Sequence, residues 1–215
     1  SDGNRSTIVE VNSETDFVGR NADFHKFVAA VASTAHNQSV PSDLEALSAA
    51  AYGEDSIQDL LLETINKIRE NIVIRRIQSL STKSGESLTT YVHGKVAVEE
   101  SIVSNGASLE MGSQLALVRV TGDAPEAYRK LAMHVLASKP LFTCATDAPE
   151  AFVAHEKAII KEQSADSIKG KKPEIVEKMM TGKLNKRLQE VCLLEQSHVA
   201  VEGSPVIKKY LEVEG

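Results

Sequence analysis

Apolar and polar residues alternate over residues 6–11, the two-residue period of a half-buried strand. Residues 12–18, NSETDFV, form a polar joint that nonetheless carries Asp16 followed by the bulky Phe17. The spacing of Phe24, Phe27, Val28 and Val31 then predicts a helix over 22–32. HNQSVPSD (36–43) reads as a loop, and 44–51 as a short helix. Ser56 is placed as the N-cap of a strongly amphipathic helix lined by Ile57, Leu60, Leu61, Ile65 and Ile68. The clustered isoleucines and valine of ENIVIRRIQSL (70–80) predict a second strand. STKSGES (81–87) is a turn, and LTTYVHG (88–94) is expected to be a third strand closing an antiparallel meander.

Further along, VAVEESIV (96–103) is compatible with a strand and SNGASLEMGS (104–113) with a loop. QLALVRV (114–120) is a strand, GDAPEA a polar joint, and 126–138 a helix stopped by Lys139-Pro140. The order strand, polar joint, helix therefore occurs twice. It predicts an α+β protein of two related lobes, each a small antiparallel sheet covered by helices. From 148 the pattern turns helical on both sides of GKKP (170–173), with Phe152, Ile159 and Ile160 before it and Ile175, Met179 and Leu188 after it. This thin apolar seam predicts a protruding antiparallel helical hairpin, a coiled coil with little core. VCLLEQSHVAV (191–201) is expected to return as a strand, and PVIKKYLEVEG to start a further helix or end in a tail. The expected division is 1–82 for the first lobe, 83–147 for the first part of the second, 148–190 for the hairpin, and 191–215 for the return strand and a truncated tail.

The 215 residues are 42% hydrophobic and 25% charged, ordinary values for a soluble globular protein. No apolar run approaches the roughly 20 residues that cross a bilayer, so no membrane partner is expected. The first residues, SDGNRS, lack both Met and an apolar stretch, so the chain reads as a fragment or a processed form. A net charge of −6 argues against general nucleic-acid binding. The charge is uneven, however. Residues 169–187 hold seven basic and two acidic side chains, which makes the hairpin tip either a solvated face or a contact for an acidic partner.

The chain contains no phosphate loop, GxSxG, HExxH or dinucleotide fingerprint. None of His25, His36, His93, His134, His155 and His198 has a neighbour at metal-ligand spacing, so neither metal nor cofactor is expected. Cys144 and Cys192 fit no CxxC or zinc pattern, which points to a reducing compartment and to inert buried thiols. His134 lies at the margin of a helical stripe of Tyr128, Leu131, Ala132 and Val135, and its local reading is a histidine bonded to a backbone carbonyl. For Phe17, local pattern favours a ring packed into the core. The alternative is an exposed anchor on a rigidly held loop.

Taken together, VEVNSETDFVGRNADF, ENIVIRR, YVHG, LAMHVLASKP and GKKPEIVEKMMTGKLNKRLQEVCLLEQ closely resemble, in order, segments of the translation elongation factor Ts family. The resemblance runs from about residue 6 to residue 200. It implies a guanine-nucleotide exchange factor for elongation factor Tu that performs no covalent chemistry of its own. On that footing Thr15, Asp16, Phe17 and Val18 match the loop that touches the partner's GTPase domain. Phe17 would wedge beside its magnesium site, and Asp16 would help hold the loop. His134 matches a second contact with the same domain, and the hairpin would contact the partner elsewhere.

The family's small N-terminal helical module and final strand find no counterpart in this sequence. The stretch between YVHG and QLALVRV is longer than in bacterial members, which implies a mitochondrial matrix protein, with the bacterial cytoplasm or the chloroplast as alternatives. Two rival readings stand beside exchange: a scaffold that binds partners through the hairpin, and a small hydrolase built on Cys144 or Cys192 with a distant histidine.

Overall fold

The computed structural model describes residues 4–37, 43–97 and 108–214. The chain divides into two compact units, Ser1–Asp123 and Ala124–Gly215. The segment 83–147 spans that division.

In the first unit β1 (Arg5–Ser13) leads through a 3-10 turn (Val18–Arg20) into α1 (Ala22–Asn37). Then come α2 (Leu44–Ala49), the short strands β2 (Ala51–Tyr52) and β3 (Asp55–Ser56), and α3 (Ile57–Ile68). Three longer strands follow: β4 (Ile72–Ser81), β5 (Glu86–His93) and β6 (Gln114–Thr121). The fold is α+β with small open antiparallel sheets, as the alternation of patterns predicts. α1 runs past residue 32 because Thr34, Ala35 and His36 are also buried. α3 starts where Ser56 predicts. The Ser56 hydroxyl accepts the Asp59 N–H at 3.1 Å, and the Asp59 carboxylate accepts the Ser56 N–H at 3.2 Å, closing a reciprocal cap. It ends at Arg69, whose left-handed φ of 65° turns the chain out of the helix.

The expected meander does not form. β1 pairs with β4 and β5 with β6, in separate two-stranded sheets. The turn between β4 and β5 explains this. The Lys83 N–H donates to the Glu86 carboxylate at 2.8 Å, and the Glu86 N–H donates to the Lys83 carbonyl at 3.0 Å. Gly85 sits at φ 80°, a conformation that glycine adopts without strain. β5 thus starts on a new line and is taken up in continuous register by β6, from Glu86↔Thr121 to His93↔Gln114. Of the stretch 96–103, Val96 makes a single antiparallel bridge to Met111, and residues 98–107 lie outside the described residues.

The β1–β4 pairing carries a bulge. Glu10 faces Arg76 and Val11 faces Ile74, so Arg75 has no opposite number. The extra residue shifts the side-chain alternation by one. Ile72 and Ile74 reach the core before the bulge, and Ile77 does so after it. That is why two arginines can stand together in an otherwise apolar strand. The core seats Phe24, Phe27 and Val31 of α1 against Leu47, Ile57, Ile72 and Ile77, with Val18 joining from the turn.

The second unit is helical. α4 (Pro125–Ser138) stops at a left-handed Lys139 ahead of Pro140. α5 (Glu150–Gln163), α6 (Ala165–Ile168) and α7 (Pro173–Val191) form the hairpin, and α8 (Ile207–Glu214) is the further helix predicted for the tail. The helix expected to run unbroken through 148–169 is interrupted at Ser164. Contacts pair Glu156 with Arg187 (3.1 Å) and Ser164 with Lys183 (2.7 Å), so the partner number falls as the first rises and the helices run antiparallel. The seam is as thin as the sequence implies. Ile160 and Leu184 are buried, whereas Ile175 is exposed.

The return strand expected over 191–201 is absent. Leu193–Glu195 is a 3-10 turn, and pairing is reduced to isolated bridges, Phe142↔Cys192 and Ser197↔Val206. The Leu193 and Leu194 N–H groups donate to the carbonyls of Phe142 and Thr143, and no longer ladder follows.

Two substitutions test this account of the first unit. Leu47→Ala should lose about 2–5 kcal/mol of unfolding free energy because Leu47 is fully enclosed. Ser56→Ala should lose only about 1 kcal/mol, the usual value of an N-cap. Urea denaturation of both variants would measure the ordering.

Candidate functional site

The joint between β1 and α1 is bound at both ends. On the strand side the Ser13 hydroxyl donates to the Thr15 carbonyl at 3.0 Å. The Thr15 N–H and hydroxyl both donate to the Glu70 carboxylate, at 3.0 and 2.6 Å. On the helix side the Asn21 side-chain carbonyl accepts the Asp23 and Phe24 N–H groups at 2.8 and 3.3 Å, as a cap does. His25 Nε2 lies 2.8 Å from the Gly19 carbonyl. Between these ties the chain makes one 3-10 turn, in which the Arg20 N–H donates to the Phe17 carbonyl at 3.1 Å.

In so tight a turn successive side chains point about 120° apart. Val18 enters the core, where 3% of its surface remains accessible. Phe17, one residue earlier, must therefore point away, and 78% of it is exposed. The ring is displayed, not packed, so the inward packing favoured by local pattern does not occur.

The four loop residues thus separate. Asp16 and Phe17 are open to solvent. Val18, grouped with them as a partner contact, is a core residue in this conformation, and its part is to anchor the loop. Thr15 is exposed as well, but its N–H and hydroxyl are both taken up by Glu70. Asp16, expected to help hold the loop, makes no hydrogen bond or ion pair among the described residues; Glu70 and Asn21 do the holding.

His134 differs from expectation more sharply. Its ring is fully buried. Nδ1 accepts the Val199 N–H at 3.2 Å, which requires the proton on Nε2, and Nε2 donates to the Gln196 carbonyl oxygen at 2.8 Å. The Gln196 amide in turn donates to the Glu190 carbonyl at 2.7 Å. A ring so enclosed offers no atom to a partner. Nor is its bond the backbone carbonyl of the local reading. What lies outside is Val199, 59% exposed on the segment that His134 holds. Beside it His198, also fully buried, meets the rings of His134 and Tyr210 edge-on at 5.2 and 4.9 Å.

A profile of the elongation factor Ts family matches residues 14–215. The chain belongs to that family. Proteins named elongation factor Ts from Roseobacter denitrificans and Bordetella petrii are 36% and 37% identical to it over 197 and 200 residues, covering 92% and 93% of this chain and 61% and 60% of theirs. One from Clostridium perfringens is 33% identical over 211 residues, covering 98% of this chain and 65% of its own. The chain thus spans about three fifths of the length of these curated bacterial relatives.

Among the described residues neither cysteine is hydrogen-bonded to a histidine. Cys192 is fully buried, and burial raises its thiol pKa, which disfavours the nucleophilic thiolate. Cys144 lies 3.0 Å from the Thr146 hydroxyl. No cluster of three or more His, Cys, Asp or Glu side chains among the described residues is arranged to hold a metal, and no helix among them is long and apolar enough to cross a membrane. Sequence reading missed Glu70 and Gln196. Glu70 opens the ENIVIRR segment, whose pattern is that of a strand. A carboxylate directly after a helix end was the only local signal available.

Burial pulls the His198 pKa down to about 4, with smaller contributions from nearby His134 and Lys130. Unfolded, the same ring titrates near 6.5. The unfolded chain therefore gains the proton first. Stability is held above pH 6.5 and lost as pH falls from there towards 4. Between pH 7 and 4.5 this should remove roughly 2–3 kcal/mol from the second unit, and His198→Phe should flatten that part of the profile. Urea titrations followed by NMR signals from residues 124–214 would show it.

Proposed function

We propose that the chain promotes release of GDP from elongation factor Tu by inserting the Asp16-Phe17 loop beside the nucleotide site of the GTPase. The observation that carries this reading is the displayed Phe17 ring on a loop tied down at both ends. A single exposed apolar side chain is ordinary on a protein surface. A bulky aromatic held out by the burial of its own neighbour is a preformed anchor, and such anchors dominate binding energy at interfaces. Family membership supplies the partner, and the whole protein's activity is carried over on that basis.

The mechanism is linkage. A nucleotide and its magnesium ion are held by oriented backbone N–H groups and oxygen ligands. A wedge accommodated only when that pocket is distorted binds the empty GTPase better than the loaded one. By thermodynamic reciprocity it weakens nucleotide binding by the same factor. Exchange then needs no nucleophile, metal or cofactor on this chain. Phe17 is the wedge, Val18 its anchor in the core, and Asp16 the charge carried beside it. His134 acts from inside the second unit, holding the segment that exposes Val199 for a second contact with the same GTPase domain. The hairpin, read as a coiled coil, offers its basic face elsewhere on the partner; among the described residues the side-chain ammonium groups of Lys172, Lys178 and Lys186 make no hydrogen bond or ion pair.

The relatives compared are bacterial, and they support a bacterial-type setting. The mitochondrial reading rests on the 95–113 stretch alone.

Phe17→Ala should slow release of a fluorescent GDP from elongation factor Tu by roughly ten- to a hundredfold in stopped flow. It should change unfolding free energy by no more than about 0.5 kcal/mol, because the ring is exposed. Unaltered GDP release by the folded variant would exclude the wedge.

A further inference from the structure

The loop that displays Phe17 is fastened to a residue 55 positions away in sequence. Glu70 stands directly after the left-handed Arg69 that ends α3, and each of its carboxylate oxygens takes one hydrogen bond from Thr15. With its carbonyl accepting from Ser13, Thr15 has its N–H, hydroxyl and carbonyl all engaged inside its own unit. Only Asp16 and Phe17 lie between that clasp and the buried Val18.

We propose that Glu70 is a positioning residue for nucleotide exchange: it fixes the direction in which Phe17 is presented, and Thr15 acts through Glu70 without touching the partner. This rests on the exchange reading above. The physical argument is orientation. Val18 is one fixed point and the Thr15–Glu70 clasp is the other. Hydrogen bonds to an ionised carboxylate are the stronger kind, and two of them to one residue set an angle as well as a distance. Without the clasp, the Ser13 bond to the Thr15 carbonyl is the only tie left on the strand side, and Phe17 is held by the 3-10 turn and Val18. The ring must then be ordered at the moment of insertion, and that entropy is subtracted from the wedge. Encounter with the GTPase does not depend on the clasp. Loss of Glu70 therefore lowers the maximal rate of GDP release more than it changes the concentration needed to reach it.

The test is GDP release from elongation factor Tu loaded with fluorescent GDP, measured against concentration of the full chain. The variants are Glu70→Ala, Glu70→Gln, Thr15→Val, Thr15→Val with Glu70→Ala, and Phe17→Ala as reference. Glu70→Ala should lower the maximal rate about five- to twentyfold, a loss sized by the two charge-assisted bonds, with half-saturation moving less than about twofold. Glu70→Gln should recover most of that loss, since its carbonyl accepts the Thr15 N–H and its amide donates to the Thr15 hydroxyl. Thr15→Val alone should slow release as well, and it should add nothing once Glu70 is alanine.

An unchanged maximal rate in Glu70→Ala, with Phe17→Ala slow, overturns the positioning role and leaves the wedge standing. Further loss from Thr15→Val in the Glu70→Ala background overturns the role given to Thr15, because it places that side chain against the partner. A silent Phe17→Ala removes the exchange reading and this proposal with it. Should Glu70→Ala fold poorly by circular dichroism, Thr15→Val and Glu70→Gln decide the matter by themselves.

Discussion

The burial of Val18 is the contact on which the exposed loop depends. Enclosing a valine is worth about 1.5–3 kcal/mol, against about 0.5–1.5 kcal/mol for an ordinary hydrogen bond between neutral groups. It also sets a geometry. In a 3-10 turn the residue before an inward side chain has no inward option, so seating Val18 among Phe24, Phe27 and Ile72 turns Phe17 to solvent. The core of the first unit and the display of the ring are one arrangement seen from two sides. A change that loosened α1 against β4 would be felt at the loop without touching it.

How much of this could be read in advance depended on whether a feature was local. α1 and α3 were legible because their apolar faces recur with the helical period and because Ser56 and Asp59 make a cap from neighbouring residues. Strand pairing was not. β4 and β5 are consecutive, and adjacency favours a meander, but the Lys83–Glu86 turn and the complementary length of β6 decide otherwise, and β6 lies beyond a stretch with no clear period. The bulge was hidden in plain view as Arg75-Arg76, since paired charges in a strand look like a weak strand until the register is known. At the site, local pattern alone put Phe17 inside, and the family resemblance put it outside, where it is. The same resemblance grouped Val18 and His134 with the contacts, although both are buried. A motif marks residues that matter together and does not say which of them face outward. Glu70 escaped because its partner is far away in sequence.

The second unit solves a different problem. Its hairpin buries few apolar residues, so its alignment leans on polar contacts between helices, Glu156 with Arg187 and Lys183 with the enclosed hydroxyl of Ser164. Ion pairs of this kind contribute little net stability when partly exposed, but they discriminate between registers. Ser164 combines two duties. It ends α5 and supplies the acceptor that places α7. At the base of the unit the linked His134, Gln196 and Val199 do similar work with hydrogen bonds, stitching a segment that lacks a sheet to hold it.

Gly19 carries a last consequence. It lies two residues past Phe17, its backbone is not in the left-handed region, and a Cβ built on it meets nothing within 4 Å. Its carbonyl, not its lack of a side chain, is what His25 uses. The position is therefore open to chemistry. A cysteine there would stand in solvent two residues from Phe17, while Cys192 is sealed in the other unit and Cys144 is half-buried. The loop thus contains its own attachment point for a fluorophore or spin label, from which the motion of the ring could be watched as a partner arrives.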